Sequence, residues 1–189
     1  MPNANFQNLV DKKGLLFILV LIMYHKEINL PLTEDLIKAL KVGEKLLLTG
    51  KLITARDAAH KRMVEYIAQD KTLPFELFNS SIYYCGPTPA KEGFPIGACG
   101  PTTSSRMDIY MSLLFENGLR TMIGKGNRSN EVIELIKKHN GIYLIAIGGA
   151  GALYGKCVQK CSCLAWEDLG PEAVYELDVV DFPCYVGVN

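Results

Sequence analysis

The stretch Gly100-Pro101-Thr102-Thr103-Ser104-Ser105-Arg106-Met107-Asp108 has the pattern of a loop that turns into a helix, and the rest of the chain is interpreted around it. The apolar residues that follow have helical spacing: Met107, Tyr110, Met111, Leu114 and Phe115. Ser105 with Asp108 fits a capping box, and Gly118 marks the end of the helix. A helix start carries unpaired N–H groups and the positive end of the dipole. Together with the hydroxyls and Arg106, it predicts a site for a carboxylate or a phosphate. A well-capped surface helix with a solvated arginine is the alternative.

The composition indicates a globular protein with no preference for nucleic acid. The chain has 189 residues, of which 49% are apolar and 21% charged, and this suits one domain with a proper core. The 20 basic and 20 acidic side chains leave no surplus of positive charge for binding nucleic acid. Six cysteines are too few for a disulfide scaffold, so we expect the chain in a reducing cytosol, hence a cytoplasmic protein.

An apolar run near the amino terminus resembles a targeting signal. Leu15–Met23 follows two lysines, but it is far shorter than the roughly 20 residues that cross a bilayer, and no small-residue cleavage site follows it. A buried strand and an extension are the two remaining interpretations. We expect residues 1–22 to be an N-terminal extension and residues 23–189 to form a single domain with no membrane segment.

Helix and strand signals alternate before the central stretch. Thr33 is a predicted N-cap, and two strands, 44–49 and 51–55, are predicted on either side of a turn at Gly50. A strand is also predicted from Ser81 to Cys85. The Gly- and Pro-rich residues 86–101 that follow cannot form regular structure, and we expect an adjustable loop over a site.

Arg56 opens a predicted helix directly after a strand. The predicted buried side of this helix holds Ala59, Met63, Tyr66 and Ile67. Arg56 and Arg106 would then be two cations at helix starts, and this suits an anion with two charged ends. Arginines at such junctions are also common on plain surfaces. His60 lies one turn after Arg56, and a lone histidine is more often structural than catalytic.

Lys125 stands between two glycines, after a predicted strand Thr121–Gly124 and before a helix capped by Ser129. The nucleotide-binding pattern G-x-x-x-x-G-K-[ST] is not met, because Leu119 stands at the place of its first glycine and Gly126 follows the lysine. A lysine at the carboxyl end of a strand is nevertheless a good place for a functional ammonium.

Two further motifs suggest cofactors only weakly. Residues 148–155, after a predicted buried strand Ile142–Ile147, loosely match a dinucleotide fingerprint. Close approach of packed backbones is the preferred use of these glycines, and a nucleotide-binding oxidoreductase is the alternative. Cys157, Cys161 and Cys163 lack the spacing of metal sites, so we expect buried small side chains on a strand and no metal. Two strands, 174–180 and 182–188, are predicted to close the chain.

Four motifs, taken together, resemble one family. They are Arg56-Asp57-Ala58-Ala59-His60-Lys61, the central stretch 100–108, Gly124-Lys125-Gly126 and Gly148-Gly149-Ala150-Gly151-Ala152. In this order they are similar to the β-subunit, or C-terminal domain, of iron–sulfur-dependent class I fumarate hydratases and L(+)-tartrate dehydratases. The likeness covers about residues 24–189. It departs at Ala55 and Ser105, where glycine is often expected.

The resemblance implies a fold, a reaction and a partner. The fold would be α/β, a swivelling β/β/α domain with a mixed sheet and flanking helices. The reaction would be reversible addition or removal of water on a four-carbon dicarboxylate, with hydration of fumarate to malate first and dehydration of tartrate to oxaloacetate next. A [4Fe–4S] cluster would be held by a separate α-subunit, where an open iron acts as Lewis acid, and this chain alone would be inactive and bind no metal.

The resemblance also implies roles for individual residues. Arg56 and Arg106 would bind the substrate carboxylates, with Thr103 beside them. Lys125 would be a further cation at the substrate, and Thr102 the base that removes the proton from carbon. The supporting residues would be Asp57 and His60. A stand-alone dicarboxylate- or anion-binding regulatory module, which uses the same side chains without chemistry, is the alternative.

Overall fold

The computed structural model describes residues 25–189, so the predicted extension 1–22 and the apolar run Leu15–Met23 lie outside the described residues. The strands are β1 His25–Asn29, β2 Lys45–Thr54, β3 Ser81–Tyr83, β4 Thr121–Gly124, β5 Ile142–Ile145, β6 Val158–Ala165 and β7 Val174–Val188. The α-helices are α1 Glu34–Ala39, α2 Asp57–Ala68, α3 Met111–Glu116, α4 Asn130–Lys138 and α5 Gly151–Cys157, and two 3-10 helices span Ser104–Tyr110 and Glu167–Glu172. Across residues 25–189, no helix combines the length and the apolar character needed to cross a bilayer.

The strands form one mixed sheet in the order β1-β2-β3-β4-β5-β7-β6. Strands β1 to β5 are parallel to one another, and β7 runs antiparallel to β5, β6 and β2. Because β2 pairs with β7 as well as with β3, the strands β2, β3, β4, β5 and β7 form a closed ring. The prediction of an α/β fold with a mixed sheet and flanking helices is confirmed, whereas the swivelling β/β/α assignment stays a prediction.

Alternation along the strands divides the core in two, because successive side chains of a strand point to opposite faces. One cluster contains Leu46, Leu48, Tyr83, Ile123, Leu144, Phe182 and Val186. The other joins Ile82, Met122 and Tyr143 to apolar side chains of the helices, among them Ala59, Met63, Met111, Leu114 and Ile136. The helical side chains that pack on the parallel strands therefore hold α2, α3 and α4 against the sheet.

Local helix signals were predicted well. Thr33 accepts a hydrogen bond from the Leu36 N–H at 3.3 Å, and Ser129 accepts one from Val132 at 3.3 Å, so both act as N-caps. The apolar face predicted after the central stretch is also present, since Met107, Met111, Leu114 and Phe115 are buried and Tyr110 is half-buried.

The predicted capping box at Ser105 is wrong. The chain first forms a 3-10 helix, Ser104–Tyr110, and becomes α-helical only at Met111. The residue before the 3-10 helix, Thr103, makes no side-chain cap hydrogen bond. The carboxylate of Asp108 instead accepts from the Ser129 N–H and pairs with Arg128, which draws it away from its own helix start.

The predicted turn at Gly50 is also wrong, because β2 is continuous. Gly50 has φ +132°, and the pairing with β7 shifts in register between Leu48 and Gly50, as in a β-bulge. A Cβ at Gly50 would meet the Leu30 side chain at 3.0 Å. The glycine therefore lets the strand kink under a neighbouring segment without ending it.

The bounds of β7 and of β5 also differ from the prediction. The segments 174–180 and 182–188 are one strand, β7, which crosses Asp181 at φ +52° because the long partner β2 pairs with both halves. In contrast, β5 ends at Ile145, and Ile147 is 50% exposed instead of buried.

Two of the glycines after β5, Gly151 and Gly155, allow a close approach, as predicted, whereas a Cβ on Gly149 would meet nothing within 4 Å. A Cβ on Gly155 would lie 2.5 Å from the Gly97 carbonyl, and one on Gly151 would lie 3.2 Å from the Gly100 nitrogen. Helix α5 thus packs directly on the end of the 86–101 loop, and that loop contains no helix or strand of its own. The cysteine prediction is wrong in part, because Cys157 and Cys161 are half-buried and Cys163 is exposed.

Candidate functional site

The carboxyl ends of β2, β3, β4 and β5 meet at one edge of the sheet, because these strands are parallel neighbours. Ligand sites of parallel α/β sheets, whether open or closed, lie at the carboxyl ends of the strands. Arg56 follows β2, Lys125 follows β4 and Gly148 follows β5. The central stretch returns to the same edge, where Pro101 forms a bridge with Cys85 and Thr103 forms one with Lys125.

Arg56 and Arg106 meet at a shared carboxylate. Nε of Arg106 donates to Oδ1 of Asp57 at 2.9 Å, and its NH2 also contacts the Asp57 carboxylate. Nε of Arg56 donates to Oδ2 of the same residue at 3.3 Å. Burial would raise the pKa of Asp57, but the hydrogen bonds and charge of Arg106 hold that pKa below its ordinary value. Asp57 therefore stays ionised and holds both arginines in one place.

Sequence reasoning missed Glu172, which orients Arg56 from the other side. One carboxylate oxygen of Glu172 lies 3.4 Å from Nε of Arg56, and the other accepts from the Ala58 N–H at 2.6 Å. The latter contact satisfies an unpaired N–H at the start of α2, and a negative charge there is favourable to the helix dipole. No sequence signal could have found this residue, because it lies 114 positions after Ala58 in a turn region.

Both arginines are held by the Nε edge of the guanidinium. Among residues 25–189, NH1 of Arg106 and both terminal nitrogens of Arg56 have no hydrogen-bond acceptor. The Arg106 side chain is 48% exposed and that of Arg56 is 27% exposed. Gly86 gives Arg56 its room, since a Cβ there would lie 2.9 Å from Cδ and 3.0 Å from NH1. The arrangement leaves planar donors for carboxylates, which arginine binds through two parallel hydrogen bonds.

Backbone pairing fixes Thr102 and Lys125 beside each other. The Lys125 N–H donates to the Thr102 carbonyl at 3.2 Å, and the Ser104 N–H donates to the Lys125 carbonyl at 2.9 Å. The Thr102 N–H donates in turn to the Tyr84 carbonyl at 2.6 Å. On its other side, the Lys125 side chain passes Gly148, where a Cβ would lie 3.4 Å from Cδ.

The two threonines differ in their surroundings. Thr102 is half-buried and Thr103 is exposed. Among residues 25–189, the Thr102 hydroxyl has no hydrogen-bond partner, so the part of the chain that the structure describes offers no group that would make it a stronger base.

His60 lies behind Arg56 and is fully buried. Its Nδ1 lies 3.0 Å from the Arg56 carbonyl, which can only accept, so Nδ1 carries the proton. Burial lowers the pKa of His60 to about 4, and the ring is therefore neutral at physiological pH. His60 supports the backbone of Arg56 and packs edge-on against Tyr84, with ring centroids 5.1 Å apart.

Within the described part of the chain, the cysteines are not arranged as the ligands of an iron–sulfur cluster. Across residues 25–189, no group of three His, Cys, Asp or Glu side chains is arranged to hold a metal ion. Burial also raises the pKa values of the Cys157, Cys161 and Cys163 thiols, which disfavours the thiolates that would bind iron.

Comparison with known proteins decides the family. The family model described as Fumarase C-terminus matches residues 19–189. The chain belongs to this family. The resemblance found in the four sequence motifs is thereby confirmed.

Two relatives are much longer than this chain. The chain is 42% identical over 150 residues to fumarate hydratase 2 of Leishmania major, covering 78% of this chain and 26% of that protein. It is 40% identical to the anaerobic class I fumarate hydratase of Escherichia coli K12, covering 86% of this chain and 30% of the relative. The chain thus spans less than a third of the length of these relatives.

A third relative has a length close to that of this chain. The chain is 36% identical to a protein of Methanocaldococcus jannaschii named putative L(+)-tartrate dehydratase subunit beta, covering 80% of each chain. The same unit therefore occurs both as part of a long chain and as a separate subunit.

Proposed function

We propose that this chain is the β-subunit of a two-subunit hydro-lyase that reversibly adds water to a four-carbon dicarboxylate. The observation that carries the proposal is the shared edge of the sheet, at which Arg56 and Arg106 are held on Asp57 next to the segment that carries Lys125. The names of the relatives support hydration of fumarate first and dehydration of L(+)-tartrate as the second candidate.

The cations suit the charge that develops in this reaction. Removal of a proton from the carbon beside a carboxylate places a second negative charge on that carboxylate. Preorganised guanidinium and ammonium groups stabilise this charge more in the transition state than in the substrate. We assign Arg56 and Arg106 to the two carboxylates, with Thr103 beside them, and Lys125 to the developing charge. We assign Thr102 as the proton acceptor, activated by groups that reach it only in the assembled site.

The local charge balance supports a partner that completes the site. The candidate site counts three cations, Arg56, Arg106 and Lys125, and two carboxylates, Asp57 and Glu172, which leaves a surplus of one positive charge for a doubly charged substrate. We propose that the remaining contacts and the [4Fe–4S] cluster belong to an α-subunit. The subunit name of the Methanocaldococcus relative supports a second chain. A reducing cytosol remains the predicted location, and six free cysteines agree with it.

The test compares the chain alone with the chain assembled anaerobically with its natural α-subunit. We expect no turnover of fumarate or L-tartrate by the chain alone, and turnover after assembly. Calorimetry of the chain alone should show weak or absent binding of fumarate, malate and tartrate. Tight binding without a partner, together with an inactive complex, would favour the stand-alone regulatory module instead.

A further inference from the structure

The guanidinium of Arg128 is a buried charge without an assigned role in the proposed reaction. Its side chain is 0% exposed, although it follows Lys125 in a polar Lys-Gly-Asn-Arg run with the composition of an exposed turn. Arginine remains protonated in proteins. Removing such a charge from water costs several kcal/mol unless it is paired and hydrogen-bonded.

Arg128 is paired on several sides. Its Nε lies 2.8 Å from Oδ1 of Asp108, and its NH1 donates to the Tyr84 hydroxyl at 3.0 Å. The guanidinium carbon lies 5.4 Å from the ring centre of Tyr84 and 5.3 Å from that of Tyr143, within the range of cation–π attraction. Within residues 25–189, Nε and NH2 of Arg128 and Oδ1 of Asp108 make no hydrogen bond, so the ion pair compensates the charge, while the NH1 bond and the two rings orient the guanidinium.

The Asp108 carboxylate connects the two segments that carry Arg106 and Lys125. Asp108 lies in the same 3-10 helix as Arg106, and its second oxygen accepts from the Ser129 N–H at 2.8 Å. The Asp108 carboxylate thus spans from the segment of Arg106 to the segment of Lys125.

Tyr143 joins the same two segments from the sheet. Its hydroxyl donates to the Gly126 carbonyl at 2.7 Å and therefore accepts from Ser104 Oγ at 2.8 Å. Gly126 directly follows Lys125, and Ser104 begins the 3-10 helix of Arg106. The buried network therefore contacts both the 3-10 helix that carries Arg106 and the segment that carries Lys125.

We propose that the Arg128–Asp108 ion pair is a positioning device that fixes Arg106 relative to Lys125. The inference rests on the proposed function of the site. Apolar side chains of similar volume would fill the same space without the desolvation cost. The ion pair holds the Asp108 carboxylate in place, and its second oxygen then makes the directional hydrogen bond to the Ser129 N–H that links the two irregular segments. Misplacement of reacting groups by about 1 Å costs on the order of a hundredfold in rate.

The first test separates positioning from stability in the assembled complex. Arg128→Lys keeps the charge and most of the stem but loses the guanidinium fork. Arg120→Lys is the matched control, because Arg120 donates to the Phe115 and Leu119 carbonyls at 2.9 and 2.7 Å and precedes β4 at the opposite edge. We expect Arg128→Lys to lower kcat/KM at least about tenfold, as supporting residues do, with a Tm similar to that of the control. Equal kcat/KM in both variants, or a loss that simply follows Tm, would overturn the proposal.

The second test needs no activity. Hydrogen exchange of the chain with Asp108→Asn should become faster in residues 102–110 and 125–129 together, while β5 and α2 stay protected. Faster exchange in one segment only, or throughout the molecule, would overturn the positioning role. If the wild-type complex turns over neither fumarate nor L-tartrate, the proposed function fails, and the exchange pattern alone then decides whether the ion pair couples the two segments.

Discussion

Arg56 and Arg106 are oriented by carboxylates that bind the Nε edge of each guanidinium, and within residues 25–189 NH1 of Arg106 and both terminal nitrogens of Arg56 keep their donors unused. Asp57 contacts both guanidiniums, and Glu172 contacts Arg56 and the start of α2. At the scale of single residues, the site therefore depends on two acidic side chains as much as on its cations. Asp57 lies next to Arg56 in the chain, whereas Glu172 is distant in sequence and comes close to Arg56 only in the folded structure.

Replacement of Glu172 by alanine should affect both stability and binding. The variant loses the hydrogen bond to the Ala58 N–H, and the loss of such a helix cap costs about 1–2 kcal/mol. It also frees Arg56 to move, so KM of the assembled complex should rise several-fold. Urea unfolding and steady-state kinetics measure the two effects. Glu167→Ala, which removes an exposed carboxylate of the same 3-10 helix, should change neither; identical behaviour of the two variants would count against the role of Glu172.

His60 should make folding stability sensitive to mild acid. Its folded-state pKa of about 4 lies below the ordinary value of 6.5, so the unfolded chain binds the proton first. The stabilisation is complete above about pH 6.5 and decreases as the pH falls to about 4, by about 3 kcal/mol.

His60→Asn keeps a donor near the place of Nδ1 and removes this titration. Urea unfolding at a series of pH values should show a shallower decline of the unfolding free energy between pH 6.5 and pH 4 than in the wild type. Burial also lowers the pKa of His139, so His139→Asn, outside the candidate site, should flatten the decline in the same direction but by less than His60→Asn. A steep decline in His60→Asn as well would show that other groups cause it.

At the scale of elements, α5 and the 86–101 loop are held together by contact between their backbones. The Cys99 N–H donates to the Gly151 carbonyl at 2.9 Å, and the Gly155 Cα approaches the Gly97 carbonyl. This contact places the loop that leads into Thr102 directly against the helix that follows β5. The loop is therefore anchored at its carboxyl end, close to the site.

Gly155→Ala should destabilise the chain by about 1–3 kcal/mol, the usual cost of forcing extra atoms into a packed contact. Its Cβ would lie 2.5 Å from the Gly97 carbonyl. Gly100→Ala on the same contact is the control, since its Cβ would meet Gly151 at 3.5 Å, an ordinary distance. In thermal unfolding, the Tm of Gly155→Ala should be well below that of Gly100→Ala. Equal Tm values would show that the contact is loose.

Local signals predicted elements well where the deciding contact was near in sequence. Caps such as Thr33 and Ser129 and the apolar face from Met107 to Phe115 needed only neighbouring residues. The signals failed where a distant partner decided the outcome. The predicted capping box does not form, because Asp108 contacts Arg128 and Ser129 instead. A bulge stands at Gly50 in place of the predicted turn, because β7 pairs with both halves of β2.

The candidate site was predictable in part for the same reason. Motif order indicated Arg56, Arg106, Thr102 and Lys125, and the parallel strands bring their segments to one edge. The buried network of Arg128 and the role of Glu172 could not be predicted. Both depend on contacts between segments far apart in the chain, and the residues involved are polar ones that usually lie on the surface.

At the scale of the whole molecule, the segments with Arg56, Arg106 and Lys125 lie at the carboxyl ends of the parallel strands of the closed ring. The structure contains donors for carboxylates, yet the described residues offer neither a metal site nor a hydrogen-bonded base at Thr102. The relatives carry the same unit within a chain about three times as long as this one, or as one subunit with a length similar to that of this chain. Both arrangements support our proposal that a second chain completes the site.

The most direct measurement is kcat/KM for fumarate with Arg106→Ala in the complex of this chain and its α-subunit. Lys61→Ala, which removes an exposed cation from α2, is the matched control. We predict a loss of at least about a hundredfold for Arg106→Ala, as expected when a preorganised charge is removed from a reacting centre, and no change for Lys61→Ala. Full kcat/KM in the Arg106→Ala complex would contradict the assignment of this edge as the substrate site.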